Sequence, residues 1–185
     1  MEEQKLSESY ITEQKILLIE DNPGDRRLIQ EMLNEITSFY YKLVMAETLK
    51  DGCRLIQQNN FSLILLDLNL PDSNGKETFD TMMHYADQIP VVLVSGLLDV
   101  ELSISLIQDG AQDYIVKPDL NSTLLSRTIK FAIERKKLMT DLKVKSTELE
   151  QLNSFFVNRE IRMVELKHEI NQLLVMAGKD KRYTV

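Results

Sequence analysis

From about Lys15 to Pro118, short apolar runs alternate with amphipathic stretches. Runs at 16–19, 43–45, 63–66, 91–94 and 114–116 have the length and apolar density of buried strands. Between them lie helical patterns. Leu28, Ile29, Met32, Leu33 and Ile36 form one apolar face, and Val100, Ile104 and Ile107 form part of another. Asp109-Gly110 reads as a helix stop, and Ile89-Pro90 breaks the chain before the fourth strand. Strands alternating with helices imply right-handed crossovers and a doubly wound, five-stranded parallel sheet covered on both faces, an α/β fold.

The pattern changes after Asn121. From Ser122 to Ala177 there is neither Pro nor Gly. Leu142, Leu149, Phe156, Met163 and Ile170 recur every seventh residue. Leu138, Lys145, Leu152, Arg159, Leu166 and Leu173 form the interleaved series. This is a coiled-coil repeat with two basic residues in its seam. The apolar seam is Leu138, Leu142, Leu149, Leu152, Phe156, Met163, Leu166, Ile170 and Leu173. One helix from about Asn121 would run roughly 80 Å at 1.5 Å per residue, too far to bury its stripe on a small domain. A partner helix is expected, with a fold-back near Asn153-Ser154 as the alternative. Phe155, Val157, Ile161 and Val164 lie off the seam and suggest a wider bundle or a docking surface. The expected organisation is a mobile tail at 1–13, a domain at 14–120, a helix at 121–177 continuing the domain's last helix, and a tail at 178–185.

Composition narrows the class. The 185 residues are 43% hydrophobic and 28% charged, as in a globular protein, with net charge −7 and no long basic run. Nucleic-acid binding is therefore not expected. The single cysteine, Cys53, permits no internal disulfide and reads as a core residue. No run approaches membrane-span length and the start does not resemble a signal peptide, so a cytoplasmic protein without membrane contact is expected.

The chemistry gathers at strand ends. Asp67 follows the apolar run Leu63-Ile64-Leu65-Leu66, at the edge where open α/β sheets place ligands. The first strand ends in Glu20-Asp21, and in a doubly wound sheet the first and third strands are neighbours. Three carboxylates in one crevice oppose each other's ionisation, and a hard divalent cation such as Mg2+ relieves this. Asp25 reads instead as a helix cap. Ser95-Gly96 ends the fourth strand and Lys117-Pro118 the fifth, adding a hydroxyl and an ammonium; a cis bond before Pro118 would fix the lysine's direction. The set suits an aspartyl phosphate, with Asp67 as nucleophile, magnesium screening charge, and Lys117 and Ser95 holding the product.

In this order Glu20-Asp21, Asp67, Leu70-Pro71-Asp72-Ser73-Asn74-Gly75, Ser95 and Asp113-Tyr114-Ile115-Val116-Lys117-Pro118 resemble the receiver domain of two-component response regulators. The resemblance covers about residues 14–120 and implies the flavodoxin-like strand order 2-1-3-4-5. It further implies that Asp67 takes a phosphoryl group from a phosphohistidine on a sensor histidine kinase or histidine phosphotransfer protein. Glu20, Asp21, Asp67 and the backbone carbonyl of Asn69 would bind Mg2+. Ser95 and Tyr114 would form the switch, with Ser95 moving toward the phosphate and Tyr114 turning inward. Asn69 and Leu97 occupy positions that tune phosphate lifetime in that family. Ser95 stands where Thr is commoner, and Gly96 where Ala is frequent.

The expected output is a dimerising or partner-binding coiled coil acting on an effector protein, not a DNA-binding domain. Such a protein is a phosphoacceptor rather than an enzyme. The alternatives are a phosphorylation-independent dimeric scaffold and an aspartate-nucleophile phosphohydrolase of the haloacid dehalogenase type. The second would need an acid two residues after the nucleophile, where this chain has Asn69. His168-Glu169 resembles the phosphoacceptor box of histidine kinases, but the box's proline is missing. His168 and His84 both read as surface residues.

Overall fold

The structure is a computed structural model that describes residues 13–96 and 100–184, with Ser95, Val100, Glu101, Ser103 and Ile104 described by backbone alone. The expected tail up to residue 12, Leu97 and the side chains of Val100 and Ile104 lie outside the described residues.

Five parallel strands form the sheet: β1 (Gln14–Ile19), β2 (Tyr41–Ala46), β3 (Leu63–Leu66), β4 (Val91–Ser95) and β5 (Asp113–Val116), in the spatial order 2-1-3-4-5. Each expected apolar run lies inside one strand. Helices α1 (Pro23–Asn34), α2 (Leu49–Gln58), α3 (Gly75–Tyr85), α4 (Val100–Gln108) and α5 (Ser122–Met176) fill the connections and the C-terminal part. This is the flavodoxin-like receiver fold followed by a long helix.

The two-residue period of β-strands divides the core. Leu17, Ile19, Ile64, Leu66 and Leu93 point to the face covered by Leu49 and Cys53 of α2, Phe79 and Met82 of α3, and Leu106 of α4. Ile16, Leu18, Leu63, Leu65, Val92 and Val94 point to the other face, under Ile29 and Leu33 of α1 and Leu125, Ile129 and Ala132 of α5. Packing on the sheet thus continues into α5 beyond residue 120. Two assignments to helix faces are corrected. Leu28 and Ile107 are exposed, and α4 turns Leu106 and Leu102 inward instead. A helical period alone leaves the edge of a buried stripe open by about one residue.

Local chemistry sets the helix starts. Asn22 caps α1, its side chain accepting from the N–H groups of Gly24 and Asp25. Asp25, expected as the cap, faces elsewhere. Thr48 caps α2 through the Asp51 N–H. Asp72, in the loop after β3, accepts from the N–H groups of Leu49 at 2.9 Å and Lys50 at 3.0 Å. Burial works against this carboxylate's charge, but the Lys50 and Leu49 N–H groups outweigh it and hold the pKa below the ordinary value. The loop beyond β3 is therefore tied to the start of α2.

The chain divides into two units at Leu138/Met139. In the second unit α5 runs unbroken through Asn153-Ser154, where the Ser154 hydroxyl donates to the Gln151 carbonyl. The alternative of a fold-back there does not occur among the described residues. The nine apolar seam residues stay 38–67% exposed. The helix ends at a Schellman turn, with Gly178 at φ +72°, the Gly178 N–H on the Val175 carbonyl and the Lys179 N–H on the Leu174 carbonyl. The segment beyond it turns back. Asn171, 6% exposed, donates to the Tyr183 carbonyl and accepts from the Arg182 and Tyr183 N–H groups. The segment expected as a tail at 178–185 thus carries a hook held by Asn171.

Gly52 shows how closely α2 lies on β1. A Cβ there would overlap Ile19 Cδ1 and stand 3.1 Å from its Cγ1. Gly52→Ala is expected to destabilise the fold by about 1–3 kcal/mol through overpacking, with Ile19→Val in the same chain recovering part of the loss. Urea unfolding of the parent and the two variants checks this, and an unchanged midpoint in Gly52→Ala would refute it.

Candidate phosphoacceptor site

The carboxyl ends of β1, β3 and β5 bring the site residues together because these strands end at one edge of the sheet. Register sets this closely. The Asp67 N–H donates to the Ile19 carbonyl at 2.9 Å, so the residue after β3 lies beside Glu20, the residue after β1. Glu20 is 1% exposed and Asp67 4%, whereas Asp21 is exposed. One carboxylate oxygen from each of the three lies within 4.8 Å of the others. The three acids expected to share a crevice do share one.

Lys117, the first residue after β5, reaches into this crevice. Its Nζ lies 2.6 Å from Asp67 Oδ2, 2.8 Å from Glu20 Oε2 and 2.6 Å from Asp25 Oδ2. Burial alone would lower the lysine's pKa, but the bonds to Asp25, Asp67 and Glu20 override it and raise the pKa well above the ordinary value. No cis peptide bond occurs among the described residues, so Pro118 follows a trans bond and opens a short 3-10 turn, Lys117–Asp119. The three carboxylates direct the ammonium.

Burial pushes the Glu20 carboxyl from 4.5 up to about 7, and the Asp67 charge pushes the same way, against the Lys117 ammonium and the Asn22 N–H at 3.1 Å. Asp67 Oδ1 accepts the Asn69 N–H at 3.0 Å. That loop is braced by a two-residue ladder, Asn69–Leu70 against Ser73–Asn74, and by the Thr78 hydroxyl, which bonds the Leu68 carbonyl at 2.9 Å. Asn69 itself stays exposed at the rim. Arg26 donates to the Glu20 carbonyl at 3.3 Å and pairs with Glu47 at 2.7 Å, closing the site beside β2.

Ser95 ends β4 in register with Val116, one residue before Lys117, so its backbone stands at the same edge; its side chain lies outside the described atoms. Tyr114 is half-buried and packs against the core on the α3–α4 side of the sheet. His84 and His168 are exposed, as expected, and Cys53 is buried in the core. Two residues near the site escaped the sequence reading: Asp25, taken for a cap, and Arg26. Only the place of Asp25 in the first turn of α1, four residues after Asp21, pointed to it.

The donor set is hard. Three carboxylates, without cysteine or histidine, suit a magnesium-sized cation and no soft metal. Burial first, and the Asp67 charge after it, raise the Glu20 pKa, and a cation held there would oppose both.

The model of the response regulator receiver domain matches residues 16–129, more than half of the chain. The chain belongs to the response regulator receiver family. Receiver domains bind Mg2+ at an acidic site, and the Glu20, Asp21 and Asp67 cluster is consistent with one. The chain is similar to the cell cycle response regulator CtrA of Brucella anthropi, 29% identical over 163 residues that cover 82% of this chain and 68% of that protein. A receiver domain protein of Clostridium thermocellum shares the fold with a TM-score of 0.60 at 25% identity, over 68% of this chain and 98% of its own. The receiver domain of a sensor histidine kinase of Pseudomonas aeruginosa, solved with magnesium in its active-site cleft, matches with a TM-score of 0.57. There the identity is 23%, over 66% of this chain and 99% of that one.

A carboxyl whose folded pKa lies above its unfolded value holds its proton more tightly in the folded state. Ionising Glu20 therefore costs stability as pH rises from about 4.5 to about 7. Without divalent ions, Glu20→Gln is expected to gain on the order of 1–3 kcal/mol over the parent at about pH 8, and little at about pH 4.5. Denaturant melts at the two pH values check this; a gain independent of pH would refute it.

Proposed function

We propose that this receiver is a phosphorylation-regulated response regulator, with Asp67 as its phosphoacceptor and a sensor histidine kinase or histidine phosphotransfer protein as donor. The observation that carries this reading is Asp67 where an ammonium meets an acid cluster: Lys117 lies 2.6 Å from it, and Glu20 and Asp21 complete a cluster of three carboxylates around it. An Asp67 oxygen attacks the phosphorus of the phosphohistidine, the P–N bond breaks, and the imidazole leaves with a proton from solvent. Lys117 then neutralises a phosphoryl oxygen as a point charge, and the Ser95 hydroxyl hydrogen-bonds another. Glu20, Asp21, Asp67 and the Asn69 carbonyl would hold magnesium, whose positive charge offsets the charge gathered on the transferring group.

Tyr114 supports the switch role by its place, half-buried on the fifth strand against the face that α4 covers. Turning inward, it would alter the surface formed by α4, β5 and the start of α5. The output is the exposed seam of α5, as a dimerising or effector-binding helix. The net charge of −7 and the absence of a basic run favour a protein target over nucleic acid. The protein acts as a phosphoacceptor rather than an enzyme, since Asn69 occupies the position where a phosphohydrolase of the haloacid dehalogenase type needs an acid. No helix among the described residues is long and apolar enough to cross a membrane, which accords with a cytoplasmic setting.

Incubation with magnesium and beryllium fluoride, or with a small phosphodonor, is expected to modify Asp67 and change the molar mass measured by light scattering. Asp67→Asn should do neither. Catalytic release of phosphate from ordinary phosphoesters would favour a hydrolase. A dimer indifferent to both treatments would favour a scaffold, and a phosphorylation-dependent shift of a DNA fragment would overturn the protein-directed output.

A further inference from the structure

Three carboxylates hold the Lys117 ammonium, but they are not equivalent. Glu20 and Asp67 also belong to the acid cluster that fits magnesium; Asp25 does not. Asp25 sits in the first turn of α1, where the Asn22 cap fixes the backbone, and its side chain is 31% exposed at the mouth of the crevice. A divalent cation taken up by Glu20 and Asp67 would share their oxygens with the ammonium, and two positive charges at that range repel. Lys117 then needs a partner outside the cluster, because a half-buried ammonium without one is costly. Asp25 is that partner, at 2.6 Å and already bonded.

We infer that Asp25 is a positioning residue for Lys117, retaining the ammonium at the mouth of the site when Glu20 and Asp67 turn to magnesium. The inference rests on the proposed magnesium-dependent phosphoacceptor reading. Asp25 thereby has two effects. It lowers the competition between Lys117 and the cation for Glu20 and Asp67, and it keeps the ammonium where an incoming phosphoryl oxygen arrives. Without Asp25, Lys117 has only the two cluster carboxylates to lean on, and magnesium must displace it from both.

The test is a double-mutant cycle read by calorimetric titration of magnesium chloride into the full chain at about pH 8. The variants are Asp25→Asn, Lys117→Ala and the double mutant. Asp25→Asn is expected to weaken magnesium binding about three- to tenfold, within the coupling range typical of contacting residues. In the Lys117→Ala background the same change should cost about twofold or less, because only the direct field of the lost charge remains. Asp25→Ala, carried through the same cycle, separates charge loss from any disturbance of the helix start. Equal affinity in the parent and Asp25→Asn, or an equal loss with and without Lys117, would overturn the inference. If the parent itself takes up no magnesium, the magnesium reading falls and the inference with it.

Discussion

Lys117 gathers three elements at one point. Its ammonium bonds the carboxylates of Glu20 after β1, Asp67 after β3 and Asp25 in the first turn of α1. Each of these groups alone would be an expensive charge at a half-buried edge, and breaking such a pair typically costs about 3–5 kcal/mol because the remaining partner is stranded. Together they make a site with more negative than positive charge. Burial, with the Asp67 charge beside it, raises the Glu20 pKa to about 7, and the excess of carboxylates leaves the crevice receptive to a further cation. The interaction is therefore both a structural tie and the resting arrangement of the chemistry.

The rest of the receiver holds that edge in register. Parallel crossovers bring β1, β3 and β5 to the same side, and period-two packing gives both faces of the sheet a core. Two tertiary ties supplement it. Gly52 lets α2 lie against Ile19, the residue before Glu20. Asp72 fastens the loop that carries Asn69 to the start of α2. The loop beside the phosphoacceptor position thus depends on hydrogen bonds to a helix that begins some twenty residues earlier in the chain.

The second unit has a different physical character. Its helix keeps an apolar seam in solvent while its end is closed by the Gly178 turn and by Asn171, which satisfies backbone groups of the returning segment. A buried asparagine spends both ends of its amide there, which accounts for a polar residue under cover beside an otherwise exposed helix.

Much of this was legible beforehand. The five apolar runs became the five strands, because a strand buried on both faces has few polar positions and announces itself locally. Glu20, Asp21, Asp67 and Lys117 were legible as a set because each ends a strand, and a doubly wound topology brings those ends together. Leu28 and Ile107 were misplaced because helical period sets a stripe's spacing but not its edge. The role of Asp25 was missed because a helix start offers an acid two stabilising positions, and its partner lies 92 residues away. Asp72 and Asn171 were silent as ties because their partners are backbone groups, which carry no side-chain signal in the sequence. The sequence by itself determined the alternation of elements, the strand-end chemistry and the exposed seam, since these follow from local apolar pattern and residue type. Only the tertiary structure decided which acids face Lys117, which loop is tied to α2 and where the C-terminal hook lies. Those outcomes depend on the direction in which packed elements present short side chains, and no local pattern encodes that direction.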